Sequence, residues 1–210
     1  VRREAIGRGR ERREAVVSRD PRCARAHLEL GRGRARLGDP KKAVMAFSRA
    51  AEIAPELRGS LLDSLDQLAR EHPGEPTAHL LCATLNEREG RILPAAEAAL
   101  AAISCGAEPE PVLQSLQRLR LAVQRQNPTP ATSLSRIDLI TFRAFRLMGR
   151  PSEAAKASRQ ILATGELRGE LTLELNLLVG EHPRSVEARL CRAELAMTAG
   201  AADEGLRDLQ

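Results

Sequence analysis

Aromatic side chains are nearly absent from this chain of 210 residues, which has three phenylalanines (Phe47, Phe142, Phe145) and neither tryptophan nor tyrosine. Aromatic and β-branched residues are the usual strand formers, so the core must be assembled from leucine, alanine, valine and isoleucine. Platforms for stacking bases are missing for the same reason. Cysteine occurs only as Cys23, Cys82, Cys105 and Cys191, scattered singly without a Cys-x-x-Cys pair. That pattern excludes a disulfide framework and points to a reducing, intracellular setting, with the cytoplasm as the expected compartment. No run of about 18 apolar residues exists, so no transmembrane helix is expected. The opening Val1-Arg2-Arg3-Glu4 carries neither an apolar leader core nor an initiator methionine, and it reads as the interior of a longer protein.

What is present favours helix. Leucine and alanine interspersed with arginine and glutamate are strong helix formers, which predicts an all-α chain. The formal net charge of +5 is unevenly placed, because residues 1–36 hold twelve arginines against five acids. A basic end attracts acidic protein, anionic lipid or nucleic acid. Its blander meaning is a solvated arginine-rich helix.

Four glycines, Gly38, Gly90, Gly149 and Gly200, each follow one apolar helix and precede another, at spacings of 52, 59 and 51 residues. In the first unit, a helix over about 22–37 aligns Ala26, Leu30, Gly33 and Leu37, the i, i+4, i+7 spacing of an amphipathic helix. Leu37-Gly38-Asp39-Pro40 closes it and opens a second helix with Ala43, Val44, Phe47, Ala50 and Ala51 inward, stopped at Pro55. Small residues at Gly31, Ala43 and Ala50 let the two helices approach closely.

A third kind of helix fills the extra spacing. Leu61, Leu65 and Leu68 form a stripe in residues 58–71; Val112, Leu116, Leu119 and Val123 form one in 110–125; Leu171, Leu175 and Leu178 form one in 168–181. The first and last are copies at a shift of 110, with Arg58-Gly59 and Glu71-His72-Pro73 reappearing as Arg168-Gly169 and Glu181-His182-Pro183. The same shift carries Ala78, Leu80, Ala83, Leu85 and Gly90 onto Ala188, Leu190, Ala193, Leu195 and Gly200. The expected organisation is a basic helix over 1–21, a first double unit over 22–127 (hairpins 24–55 and 76–107), a loop over 128–134 and a second double unit over 135–210. The second contains a hairpin over 135–166, a spacer helix over 168–181 and a truncated hairpin over 186–210, which ends inside a helix and predicts a continuing chain.

Leu30-Gly31, Gly38-Asp39, Ala43, Phe47, Ala50 and Pro55 fall at the spacing of the tetratricopeptide repeat, and the first unit resembles that family. Ala83, Gly90, Ala95 and Ala102, then Gly149, Ala154 and Ile161, then Ala193 and Gly200 mark more divergent copies. The family's usual aromatics are replaced by His27, His79 and Asp138 at one position, and by Arg34 and Asn86 at another, where Phe145 alone keeps one. The resemblance implies a right-handed α-α superhelix, a solenoid of antiparallel hairpins, and a non-catalytic scaffold for protein partners. It also implies that first helices line the concave side. That places Arg25, Leu28, Arg32 and Arg36 there, with Thr77, Leu80, Thr84 and Glu87, then Arg136, Leu139, Arg143 and Arg146, then Glu187, Leu190 and Glu194.

Arg25, Arg32, Arg36, Arg143 and Arg146 are accordingly the expected partner-binding residues, suited to acidic or mixed-charge protein segments. The alternative is nucleic-acid binding through the arginine-rich N-terminal region. The recurrent leucine (28, 80, 139, 190) is either an apolar floor for a bound peptide or, as we favour, covered by the spacer helices. Leu28, Arg32 and Leu81 stand where a chaperone-type carboxylate clamp needs lysine and asparagine, so that clamp is not expected. No catalytic, metal or cofactor site is expected. His72 and His182 repeat with the architecture at helix ends, His27 and His79 read as packing residues, and Cys82 and Cys191 read as buried small hydrophobes. Gly7–Arg10 and Gly31–Arg34 lack the strand that a phosphate loop requires.

Overall fold

The computed structural model describes residues 15–126, 128–201 and 205. The arginine-rich segment before residue 15, with its Gly7–Arg10 run, Asn127 of the central loop, and most of the terminal segment fall outside these residues. Among the described residues the regular elements are all helical. They are α1 (Ala24–Arg36), α2 (Pro40–Ile53), α3 (Arg58–Glu71), α4 (Pro76–Arg88), α5 (Ile92–Ser104), α6 (Pro109–Gln124), α7 (Ala131–Leu147), α8 (Pro151–Thr164), α9 (Arg168–Glu181) and α10 (Val186–Thr198). A 3-10 turn, Pro55–Leu57, joins α2 to α3, and residues 15–19 are also helical.

The turn glycines behave as their spacing predicts. Gly38, Gly90, Gly149 and Gly200 all have left-handed backbones, with φ of 74°, 70°, 66° and 83°. Each sits in the same hydrogen-bonded close: Asp39, Arg91, Arg150 and Ala201 donate to the carbonyls of Arg34, Asn86, Phe145 and Ala196 at 2.9–3.1 Å. This is the Schellman arrangement, in which glycine satisfies carbonyls that the helix end would leave unpaired. Proline then starts α2 and α8 in their first turns, where the missing N–H costs nothing.

The chain divides into two compact units, residues 1–107 and 108–210. In the first, α1 and α2 form an antiparallel hairpin, as do α4 and α5, while α3 packs between them on α2 and α4. In the second, α7 and α8 form the hairpin, with α6 on α7 and α9 against α8 and α10. The boundary between the units lies at the start of α6. The reason is that α6 buries Val112, Leu116, Leu119 and Val123 in the second unit, and its Arg120 is tied to Asp138 on α7.

The spacer helices supply the centre of each core. Leu61, Leu65 and Leu68 of α3, and Leu171, Leu175 and Leu178 of α9, are completely buried. At roughly 1.5–3 kcal/mol for each buried leucine, these stripes help attach one hairpin to the next, alongside direct packing of α2 on α4 and of α8 on α10. His72 and His182 end α3 and α9 with nearly the same dihedrals (φ −133°, ψ 68° and φ −130°, ψ 65°), so the internal duplication extends to the backbone.

Helix α1 turns a somewhat different face inward from the one expected. Ala26 and Gly33 are buried, but Leu30 is only half-buried and Leu37 is 42% exposed at the C-cap; Leu28 and Gly31 take the inner positions. The cause is local packing. A Cβ at position 31 would lie 2.4 Å from the Phe47 ring, so only glycine admits that ring, and the face that carries Gly31 turns inward. Counted from the turn glycines, the positions of Gly31 and Phe47 in the α7/α8 hairpin of the second unit hold Phe142 and Ser158. Both are fully buried, so the large and small partners have exchanged helices.

Candidate partner-binding cleft

The five arginines singled out from the sequence fall into two groups, Arg25, Arg32 and Arg36 on α1 and Arg143 and Arg146 on α7. Within α1, Arg25 and Arg36 are exposed and have no ion-pair partner among the described residues. Arg32 is half-buried. Its Nη1 reaches Glu29 Oε1 one turn back at 2.8 Å, and its Nε donates to Ser64 Oγ on α3 at 3.2 Å. Ser64 in turn donates to the Ser60 carbonyl at 2.8 Å.

Helices α1 and α3 thus face one another across a cleft of about 260 Å³. Glu29, Arg32 and Arg36 line one wall, Ser64, Gln67 and Glu71 the other, and Phe47 with Leu68 forms the floor. Its acids are both engaged: Glu29 with Arg32, and Glu71 as acceptor from the Gln67 amide at 2.9 Å. Leu28 is buried in the core behind this cleft, which agrees with coverage by the spacer helix.

The same geometry in the second unit is filled from within. Arg143 Nε donates to Glu174 Oε1 on α9 at 2.7 Å, and Arg143 Nη2 lies 3.6 Å from Glu170. Arg146 Nη1 donates to Glu181 Oε1 at 2.6 Å. Its Nε lies 3.2 Å from Glu174 Oε2, an ion pair without the alignment of a hydrogen bond. Leu139 is buried beneath this ladder. Leu80 is half-buried and Leu190 is 37% exposed, so the recurrent leucine is not covered to the same extent in each copy.

The remaining polar candidates have structural partners. His27 is buried, with Nε2 3.0 Å from the Pro21 carbonyl oxygen. Asp138, at the equivalent place in α7, is bound by Arg120 Nε at 2.5 Å; burial still raises its pKa above the usual carboxylate value. Burial lowers the His79 pKa and so favours a neutral packing residue. It pushes the Cys82 thiol up to about 12, with the neighbouring Asp66 adding to the effect, so a nucleophilic thiolate is strongly disfavoured there. Among the described residues, no cluster of three or more His, Cys, Asp or Glu side chains is arranged to hold a metal. No helix among them is long and apolar enough to cross a membrane.

The α9 carboxylates were not singled out from the sequence. Glu170, Glu174 and Glu181 share one helix face, and that spacing is a signal once α9 is known to oppose α7. A second cleft, of about 400 Å³, lies between α6, α7 and α8, where Leu113, Leu116, Phe145 and Ala157 make it more apolar.

Comparison with known proteins adds little to this description. No protein-family model and no curated protein match the chain. Among solved structures it is similar to MamA, at 13% identity over 93% of this chain and 80% of that one, with a TM-score of 0.23. It is also similar to yeast Tom70, at 12% identity over 98% of this chain and 54% of that one, with a TM-score of 0.27. Superpositions at these scores do not contribute to the fold assignment, which rests on the hairpins and their turns.

Proposed function

We propose that this chain is a non-catalytic scaffold of the tetratricopeptide-like kind, holding segments of protein partners on its arginine-bearing helices. The observation that carries this reading is α1. It is a first hairpin helix whose inner side is consumed by the core while Arg25 and Arg36 project without an ion-pair partner among the described residues, with Arg32 beside them in an open cleft. Stacked hairpins of this type expose first-helix side chains along an extended surface, which suits a partner segment better than a small substrate. The preferred partner is acidic or of mixed charge. In the second unit Arg143 and Arg146 become available only by giving up their α9 carboxylates, so the α1 arginines are the primary contacts.

The test is partner recovery with Arg25→Glu/Arg36→Glu, two exposed substitutions that leave the core untouched. Loss of cross-linked partner with an unchanged helical spectrum and melting temperature supports the assignment. Undiminished recovery overturns it. Binding of random RNA and DNA is measured in parallel at low and moderate salt. Tight, steeply salt-dependent binding with no protein partner recovered would replace this reading with the nucleic-acid one.

A further inference from the structure

The two hairpin–spacer copies differ in a way that identifies what the open cleft takes. Counted from Gly38 and Gly149, Arg32 and Arg143 occupy the same position, as do Ala35 and Arg146. Counted from Arg58-Gly59 and Arg168-Gly169, Ser60 corresponds to Glu170, Ser64 to Glu174 and Glu71 to Glu181. In the second copy, Glu174 inserts a carboxylate between the helices, 2.7 Å from Arg143. In the first copy the arginine remains and the carboxylate is gone, leaving Ser64 Oγ at the end of a cleft of about 260 Å³.

From this, we infer that the α1–α3 cleft is a docking site for a glutamate side chain of an acidic partner segment. The incoming carboxylate takes the place that Glu174 fills in the second copy. Arg32 and Ser64 supply donors, and Arg36, which has no carboxylate among the described residues, supplies a second cation at the rim. Arg32 must release Glu29 to bind fully. That exchange is easy, because Arg32 and Glu29 are 40% and 54% exposed and one turn apart, and such surface pairs are weak. Charge-assisted bonds from a guanidinium across a half-buried cleft are stronger and directional. Glu71, exposed at the α3 end of the cleft and held by Gln67, disfavours a second carboxylate there, so the site reads one acid at a time.

This inference rests on the scaffold reading and adds the chemistry of the ligand. It is tested by fluorescence anisotropy of the whole chain with a labelled, end-blocked peptide of alternating glutamate and alanine, against the same peptide with glutamine. The glutamate peptide is expected to bind at low salt at least tenfold more tightly than the glutamine peptide. Ser64→Glu, which gives the first copy the second copy's own carboxylate, should weaken glutamate-peptide binding at least tenfold without lowering the melting temperature. Ser64→Gln supplies similar bulk without charge and should weaken it far less. Equal binding of both peptides, unchanged binding to Ser64→Glu, or equal weakening by Ser64→Gln each overturns the proposal. If the glutamate peptide ignores Ser64→Glu while partner recovery still depends on Arg25 and Arg36, the scaffold stands and this cleft is not its site. If neither dependence is seen, both fall. Inorganic phosphate displacing the peptide at equal concentration would reassign the cleft to a simple anion and overturn the peptide reading.

Discussion

The α1–α3 and α7–α9 pairs are built from the same sequence pattern, yet one ends in an open cleft and the other in a closed ladder of charges. The backbone is held constant by the repeated Schellman turns and by three buried leucines in each spacer helix. What differs is a handful of side chains facing across the gap. Where one copy ties its arginines to the opposite helix's carboxylates, the other holds Arg32 in an exposed one-turn pair with Glu29 and leaves Arg36 without an ion-pair partner among the described residues. Charges sealed inside an array contribute mainly to orientation of the helices, whereas an unsealed one is free for association.

The largest expected effect breaks the comparison at its core. Phe47→Ser alone should destabilise the first unit by about 3–5 kcal/mol through the cavity it leaves. Gly31→Phe alone should cost at least about 1–3 kcal/mol by overpacking. The double variant, which copies Phe142 and Ser158, should recover about half of the combined loss, because the two sites share one space. Urea unfolding followed by circular dichroism checks this; strict additivity would show that the exchange is not a compensated pair.

Next in size is the ladder. Glu174→Ala removes the acceptor shared by Arg143 and Arg146 and should cost about 1–3 kcal/mol, lessened by the partial exposure of both arginines. Ser64→Ala, at the equivalent position, should cost less than about 1 kcal/mol. Similar losses in the two melts would erase the distinction between sealed and open copies.

A smaller effect concerns Asp138, the counterpart of His27. Its folded pKa lies above its unfolded one, so the folded state holds the proton more readily, and its contribution to stability falls as pH rises through the window above about pH 4. Asp138→Asn still accepts from Arg120 and should flatten that slope while changing neutral stability by less than about 1 kcal/mol. An unchanged pH profile of the melting temperature would contradict this. The smallest effect is at the α2 cap. Asp39 accepts from the Lys42 N–H at 3.3 Å, whereas Arg150 at the start of α8 offers no side-chain cap. The Lys42 side chain, its Nζ 2.7 Å from Asp39 Oδ2, does most to lower the Asp39 pKa and the N–H bond adds to it, so the carboxylate's contribution is present above the unfolded value near 3.8 and disappears as pH falls through the folded one. Asp39→Ala should therefore lower the melting temperature slightly at pH 7 and leave it unchanged in strong acid.

Much of this architecture is legible in the sequence. The four turn glycines, the Asp39-Pro40 start, the close approach at Gly31 and the leucine stripe of each spacer helix all follow from local rules of capping and periodicity. The face of α1 is less legible, because it packs against the Phe47 ring from another helix. The arginines were legible as charges but not as free charges. Whether Arg143 meets Glu174 depends on how α7 and α9 lie against each other, 31 residues apart in sequence.

One buried thiol lies in each unit, Cys82 on α4 and Cys191 on its counterpart α10, while Cys23 and Cys105 are only partly covered. Burial raises both internal thiols above their ordinary pKa, so neither reacts readily in the closed fold. After Cys23 and Cys105 are replaced by serine, the alkylation rate at each remaining thiol becomes a clock for the opening of its own half. Peptide mapping of the labelled protein would time the two halves separately within a single sample.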